Sequence, residues 1–306
     1  MNLTKVDWLG FRTQGEIPAT IEALRASFGE WGDALQAKPR KSGWMGYQQS
    51  VDLCLHDMHL GLMAYGGESQ KGWISVNLSG RGCEWIKDWD IAEDSFQSLP
   101  DFEARRVDIA LDTCKREVTH EKVLDAYRSG LFNATGAGRP PKLSQIVPED
   151  PYDGRTIYIG ARDQGKFCRA YEKGFELVKD RKDVIVSHIN GHPIEDIYRV
   201  ELELKAKNAP LPVDLIERRD QYFAGAYPYL QQILSVEPEI FSQARERGPQ
   251  QDLEAALATI RHQYGATLFT ALMAHAGDVG SVWEKIVGTK HNEALLAAGV
   301  MLVDHN

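Results

Sequence analysis

Two segments alternate apolar and charged positions more cleanly than the rest of the chain. In RRVDIALD (105–112), Val107, Ile109 and Leu111 alternate with Arg106, Asp108, Ala110 and Asp112. In YRVELELK (198–205), Val200, Leu202 and Leu204 alternate with Arg199, Glu201, Glu203 and Lys205. This period of two predicts strands with one face in a core and the other polar. VDWLGFR (6–12), GYQQSVDLCLHD, LGLMAYGG and WISVNLSG read as further strands, and LSGRGC as a turn at Gly80 and Gly82. RTIYIGAR and KFCRAYE form a hairpin around Asp163–Gly165. Residues 17–35 have helical spacing, with Ile21, Leu24 and Phe28 on one side, and a short helix over 91–98 stops at Pro100. THEKVLDAYRSG is a helix with Thr119 as N-cap and Gly130 as its stop. The Gly- and Pro-rich stretch 136–154 reads as a loop. From Pro212 onward the spacing is helical, through VDLIERRDQYFAGAYPYLQQIL, QQDLEAALATIRHQY, ATLFTALMAHAG and NEALLAAGVML. The pattern predicts an α+β fold: an antiparallel sheet with flanking helices over 1–209, then a mainly helical part over 210–306, with the boundary at APLP (209–212). No internal repeat is visible.

The alternation leaves carboxylates on the polar side of both strands. Such a face needs cations or water, because an unpaired buried charge is very costly. Two arrangements meet that need. Arg106, Arg199 and Lys205 can neutralise the acids on the wet side of a half-exposed sheet. Alternatively, oxygen ligands on the two strands can hold a hard divalent cation, Mg²⁺ or Mn²⁺.

KFCRAYEKGFE (166–176) adds a tyrosine to this picture. In a strand, Phe167, Arg169, Tyr171 and Lys173 share one face. Read alone, it is a half-exposed tyrosine with a fringe of charge. Beside two acid-faced strands it completes a set suited to phosphoryl transfer: a metal to polarise a phosphate, cations to hold it and a hydroxyl to attack.

Composition narrows the setting. With 306 residues, 43% hydrophobic and 26% charged, the chain is globular in composition. The opening MNLTKVDWLGFR lacks an apolar signal core, and no stretch approaches the roughly 18 apolar residues of a spanning helix. A cytoplasmic location is the expectation. A net charge of −9 argues against non-specific coating of nucleic acid. Yet residues 155–182 carry Arg155, Arg162, Lys166, Arg169, Lys173, Lys179, Arg181 and Lys182 against four acids, Asp163, Glu172, Glu176 and Asp180. A local basic groove is compatible with the acidic total. Cys54, Cys83, Cys114 and Cys168 form no C-x-x-C pair, and Cys168, next to the basic cluster, is a candidate for mild activation. H-D-M-H (56–59) and H-I-N-G-H (188–192) have ligand-like spacing but no third ligand. GAGRPP lacks the third glycine of a dinucleotide loop, and there is no Walker lysine and no G-x-S-x-G.

The segments VDWLGFR, GWISVNLSGRGC, RRVDIALD, TIYIGARDQGKFCRAYEKG and YRVELELK, in this order, resemble the replication initiation factor family, over roughly residues 5–235. Its members are rolling-circle initiators of filamentous phages and plasmids, with related conjugative relaxases. The resemblance implies a divergent form of the HUH-endonuclease fold that uses carboxylates in place of the histidine triplet. It implies that Tyr171 attacks a phosphodiester at a replication origin, leaving a 5′-phosphotyrosine link and a free 3′-OH primer. Arg169 and Lys173 would hold the scissile phosphate and favour the phenolate. Asp108 and Glu201, then Asp112 and Glu203, would bind Mg²⁺ or Mn²⁺. Arg162, Lys166, Arg155 and Arg199 would contact DNA. Single-stranded or cruciform origin DNA is the implied partner, with a host helicase, a polymerase and a second copy of the chain as further candidates and no membrane. A non-catalytic DNA-binding regulator, a relaxase and a water-using nuclease with a structural Tyr171 are the competing readings.

Overall fold

The computed structural model describes residues 3–133, 140–179, 186–207, 209–241 and 249–286. Twelve strands are found among them: β1 Lys5–Thr13, β2 Leu35–Pro39, β3 Gln49–Leu55, β4 Met58–Tyr65, β5 Ile74–Leu78, β6 Glu103–Thr113, β7 Leu143–Ile146, β8 Thr156–Gly160, β9 Lys166–Tyr171, β10 His188–Ile189, β11 His192–Pro193 and β12 Tyr198–Lys205. The helices are α1 Ile17–Ser27, α2 Gly80–Trp85, α3 Trp89–Gln97, α4 His120–Arg128, α5 Lys173–Val178, α6 Arg219–Ala226, α7 Pro228–Leu234, α8 Pro249–Ala274 and α9 Val279–Ile286. Ten strands form one antiparallel sheet in the order β2-β3-β4-β5-β1-β6-β12-β9-β8-β7, and β10 and β11 form a separate hairpin.

The order hides a repeat. β1, then α1, then the meander β2 to β5 places the last strand beside the first. β6, then α4, then β7, β8, β9 and β12 does the same on the other side. The halves meet at the antiparallel β1–β6 pair, so the sheet has a quasi-twofold arrangement about that seam. The sequence shows no repeat there because only topology is shared.

The alternating segments fall as the period of two predicts. Val107, Ile109, Val200, Leu202 and Leu204 are buried in the core with Leu24, Phe28 and Phe96 from the first half and Phe223 and Leu230 from α6 and α7. Thr119 caps α4 by accepting a hydrogen bond from the Lys122 amide, and Gly130 follows with φ +77°.

Three elements differ from the sequence expectation. The helix predicted over 17–35 ends at Ser27. A 3-10 turn over Gly29–Ala34 and the edge strand β2 take the remainder. LSGRGC is the capped start of α2: the Ser79 hydroxyl accepts from the Gly82 amide. Gly82 packs so closely on β4 that a Cβ would lie 2.3 Å from the Leu60 carbonyl oxygen. The loop expected over 136–154 contains edge strand β7, while 136–139 lies outside the described residues.

The chain divides into two compact units, Met1–Gln243 and Ala244–Asn306. The boundary expected at 209–212 falls inside the first unit, because Leu211, Leu215, Phe223 and Leu230 belong to the sheet's core. In the second unit, the two helices read from QQDLEAALATIRHQY and ATLFTALMAHAG are one helix, α8. NEALLAAGVML lies outside the described residues. No described helix is long and apolar enough to cross a membrane.

Candidate functional site

The face of the sheet away from the core carries charged side chains across β6, β12 and β9. Register fixes the layout. Asp108 lies opposite Glu203, Ala110 opposite Glu201 and Asp112 opposite Arg199. Across the next ladder, Glu201 lies opposite Arg169 and Arg199 opposite Tyr171.

Every one of the four predicted carboxylates is paired with a cation. Arg106 donates to both oxygens of Asp108, at 2.8 and 2.5 Å, and reaches Glu203 at 2.8 Å. Lys205 lies 2.6 Å from the other Glu203 oxygen. Arg169 donates to Glu201 at 2.6 Å. Arg199 grips Asp112 at 2.5 and 2.8 Å and donates to Asp7 at 2.9 Å, while Lys5 reaches Asp112 at 2.9 Å. Asp108, Glu201, Glu203 and Arg199 are 3–6% exposed, so their charges need partners. Burial, reinforced by Glu201 and Glu203 and opposed by Arg106, raises the Asp108 carboxyl to about 6. Desolvation of Asp112 is outweighed by Arg199 and Lys5, so its carboxyl is lowered.

Of the two arrangements open to the sequence, neutralisation by cations is the one present, through Arg106, Arg199 and Lys205 and, at Glu201, through Arg169. The four carboxylates do not converge. Asp108 and Asp112 stand four residues apart on one strand, roughly 13 Å at the usual rise per residue, and each has its own arginine. Among the described residues no three His, Cys, Asp or Glu side chains are placed to hold a metal ion. The oxygen donors suit Mg²⁺ or Mn²⁺ chemically, but the four as a set do not fit a single ion.

Tyr171 is the last residue of β9 and is 6% exposed. The Arg169 guanidinium lies 4.6 Å from its ring centroid and the Lys173 ammonium 5.7 Å. Lys173 does not continue the strand; it opens α5 and pairs with Glu176 at 3.1 Å. Burial pushes the Tyr171 phenol well above its ordinary range, the charges of Arg199 and Arg169 pull it back, and Glu201 and Glu176 oppose them. The phenolate expected from the sequence is therefore not favoured here, since burial prevails and Arg169 and Lys173 spend part of their charge on carboxylates. Arg169 retains one unused donor: its Nε is buried without a hydrogen-bond partner.

The four predicted DNA contacts separate. Arg162 stands exposed beyond the end of β8, its guanidinium 5.3 Å from the Phe167 ring. Lys166 turns to the core side, donates to the Ala226 carbonyl at 2.6 Å and lies 4.1 Å from the Tyr227 ring. Arg155 is bound to Glu172 and Glu121, each at 2.7 Å. Arg199 is locked between Asp7 and Asp112. Arg181 and Lys182 lie outside the described residues.

Cys168 is not activated: complete burial raises its thiol to about 12. His59 meets Asp52 at 3.3 Å, and His192 meets the Cys114 sulfur at 3.4 Å. Asp7 was missed by sequence reasoning. A register shift in β1 between Val6 and Trp8 breaks the alternation that would have assigned it to the polar face. The signal available was the Val-Asp pair that β1 shares with β6.

No curated protein matches the chain. The fold is similar to a solved structure described as a rolling circle replication initiator protein from Geobacillus stearothermophilus, with a TM-score of 0.55 and 17% identity, covering 78% of this chain and 99% of that one. The family model described as "Replication initiation factor" matches residues 103–255, half of the 306 residues and the half that holds β6, β9, β12 and Tyr171. The chain belongs to the replication initiation factor family.

Proposed function

We propose that the protein is a rolling-circle replication initiator that nicks origin DNA with Tyr171 as nucleophile. One observation carries this reading: within the matched segment, a tyrosine ends a strand with Arg169 and Lys173 at its ring and Arg199 opposite it. The Tyr171 Oη would form a bond to phosphorus while the bond to the 3′ oxygen breaks. The products are a 5′-phosphotyrosine link and a 3′-hydroxyl, and the phenol proton ends on the departing oxygen. Storing the phosphodiester energy in this link allows religation, which a hydrolase does not.

An incoming phosphate changes the local charge balance. It offers Arg169 an acceptor for the unused Nε and competes with Glu201 and Glu176 for the two cations. A cation that shifts from carboxylate to phosphate stabilises both the phosphate and the developing phenolate. Glu201 and Glu176 are the carboxylates whose charge Tyr171 feels, so they are the nearest candidates to take the proton in transit. Loss of nicking in a chelator and its return with Mg²⁺ or Mn²⁺ would show that a divalent cation assists the reaction.

A second reading, a DNA-binding regulator without catalysis, is favoured by the complete pairing of the carboxylates. The experiment that separates the two uses supercoiled DNA of the element that encodes the chain, with Mg²⁺, Mn²⁺ or a chelator. The nicking reading expects open circles and a protein–DNA adduct that survives detergent. It also expects Tyr171→Phe to lose both. A regulator binds the same DNA and forms no adduct, and a water-using nuclease forms nicks without one.

A further inference from the structure

The polar face continues past Tyr171 toward the edge of the sheet. Register places Thr156 opposite Tyr171, Tyr158 opposite Arg169 and Gly160 opposite Phe167, and Ser144 of β7 opposite Tyr158. There the surface opens into a groove of about 440 Å³ lined by Lys142, Ser144, Tyr158, Gly160, Arg162 and Phe167, with Ala161 between the last loop positions. Two rings form its floor: Tyr158 is stacked on Phe167, with centroids 5.7 Å apart and planes 21° from parallel. The Arg162 guanidinium lies 5.3 Å from the Phe167 ring centroid. Phe167 is 6% exposed, so Tyr158 and Arg162 are the surfaces a ligand meets. No carboxylate is paired with Lys142 or Arg162 among the described residues, in contrast to every cation near the carboxylates of β6 and β12.

Flat rings flanked by uncommitted cations match one occupant, a single-stranded nucleic acid. Its bases stack on aromatic faces and its phosphates meet Lys and Arg. An apolar peptide would leave both cations unused, and a duplex would keep its bases away from the rings. Tyr171 and Phe167 are four residues apart on one strand, roughly 13 Å, so a short single-stranded segment can reach from one to the other. We propose that the Lys142–Tyr158–Arg162 groove holds unpaired bases of the DNA strand next to the phosphate presented to Tyr171. This rests on the nicking reading for its choice of DNA, but it is tested through binding alone.

The probe is a fluorescently labelled thymidine dodecamer, compared by anisotropy with an abasic strand of equal length and charge. A base stacked on an aromatic side chain contributes enough to shift binding about tenfold. The wild-type chain is expected to prefer the thymidine strand by that factor. Tyr158→Ala removes the preference and leaves affinity for the abasic strand unchanged, and Tyr158→Phe keeps it. Arg162→Ala weakens both strands and lowers the salt slope by about one phosphate contact. Equal binding of the two strands by the wild type overturns the proposal. So does a preference that survives Tyr158→Ala, or an equal loss on both strands in that variant. An adduct on the encoding DNA without any base preference contradicts the groove alone. A base preference without an adduct contradicts the nicking reading alone.

Discussion

Arg199 shows how a charge can be central to a site without being free to bind. Its side chain is 4% exposed and held between Asp7 and Asp112. Removing Arg199 takes the cation from the half-buried Asp7 and leaves Asp112 with Lys5, so the lower end of the roughly 3–5 kcal/mol for breaking a fully buried pair applies. Arg199→Ala is therefore expected to lower unfolding free energy by about 3 kcal/mol in urea titrations. Arg162→Ala, at an exposed position, should change it by less than about 0.5 kcal/mol. Equal stability of the two variants would show that the Arg199 cluster is not structural. At this scale the sequence was informative about type and face. Alternation put Asp108, the pair Glu201 and Glu203, and Arg169 each on the polar face of its own strand, and the cross-strand register, which alternation alone does not fix, sets those faces side by side. Alternation could not give partners, because whether an arginine or a metal satisfies a carboxylate depends on side-chain packing across strands.

Elements differ in how well their residues announce them. β6 and β12 lie near the middle of the sheet, and each buries a clean apolar face. β2 and β7 lie at its two edges, where four of five and three of four residues are exposed. Edge strands need no alternation, so β2 goes unread, with Leu35 reading as the end of a helix, and Leu143–Ile146 reads as loop. Helix α3 carries a titratable contact of its own. Glu93 is 9% exposed and accepts from the Gln97 side chain at 3.0 Å. Burial, with Glu217 next and Asp214 and Asp90 adding to it, raises its carboxyl from 4.5 to about 7, against the pull of Gln97. The folded state then holds its proton more tightly than the unfolded chain. Stability from this group is complete below about pH 4.5 and is lost as pH rises through about 7. Glu93→Gln should remove this component, flattening stability over that window by on the order of 2 kcal/mol. Thermal melts at a series of pH values give the comparison, and an unchanged profile in the variant would assign the pH dependence elsewhere.

The whole molecule joins a sheet of two topologically matched halves to chemistry in one of them. The second half holds Tyr171 with Arg169 and Lys173 at its ring, and the family match covers that half. The repeat was illegible in the sequence because strand order, unlike residue identity, leaves no period to detect. The total charge of −9 does not oppose DNA binding, since screening confines each charge to about 10 Å and the groove has its own cations. The account stands on Tyr171 forming the covalent link. Trypsin cuts after Arg169 and Lys173, so Tyr171 lies in the short peptide Ala170–Lys173. The adduct from the encoding DNA is digested with nuclease and trypsin and then read by mass spectrometry. The account predicts a nucleotide phosphate on Tyr171 in that peptide. A nucleotide on another residue, or nicked DNA with no modified peptide, would contradict it.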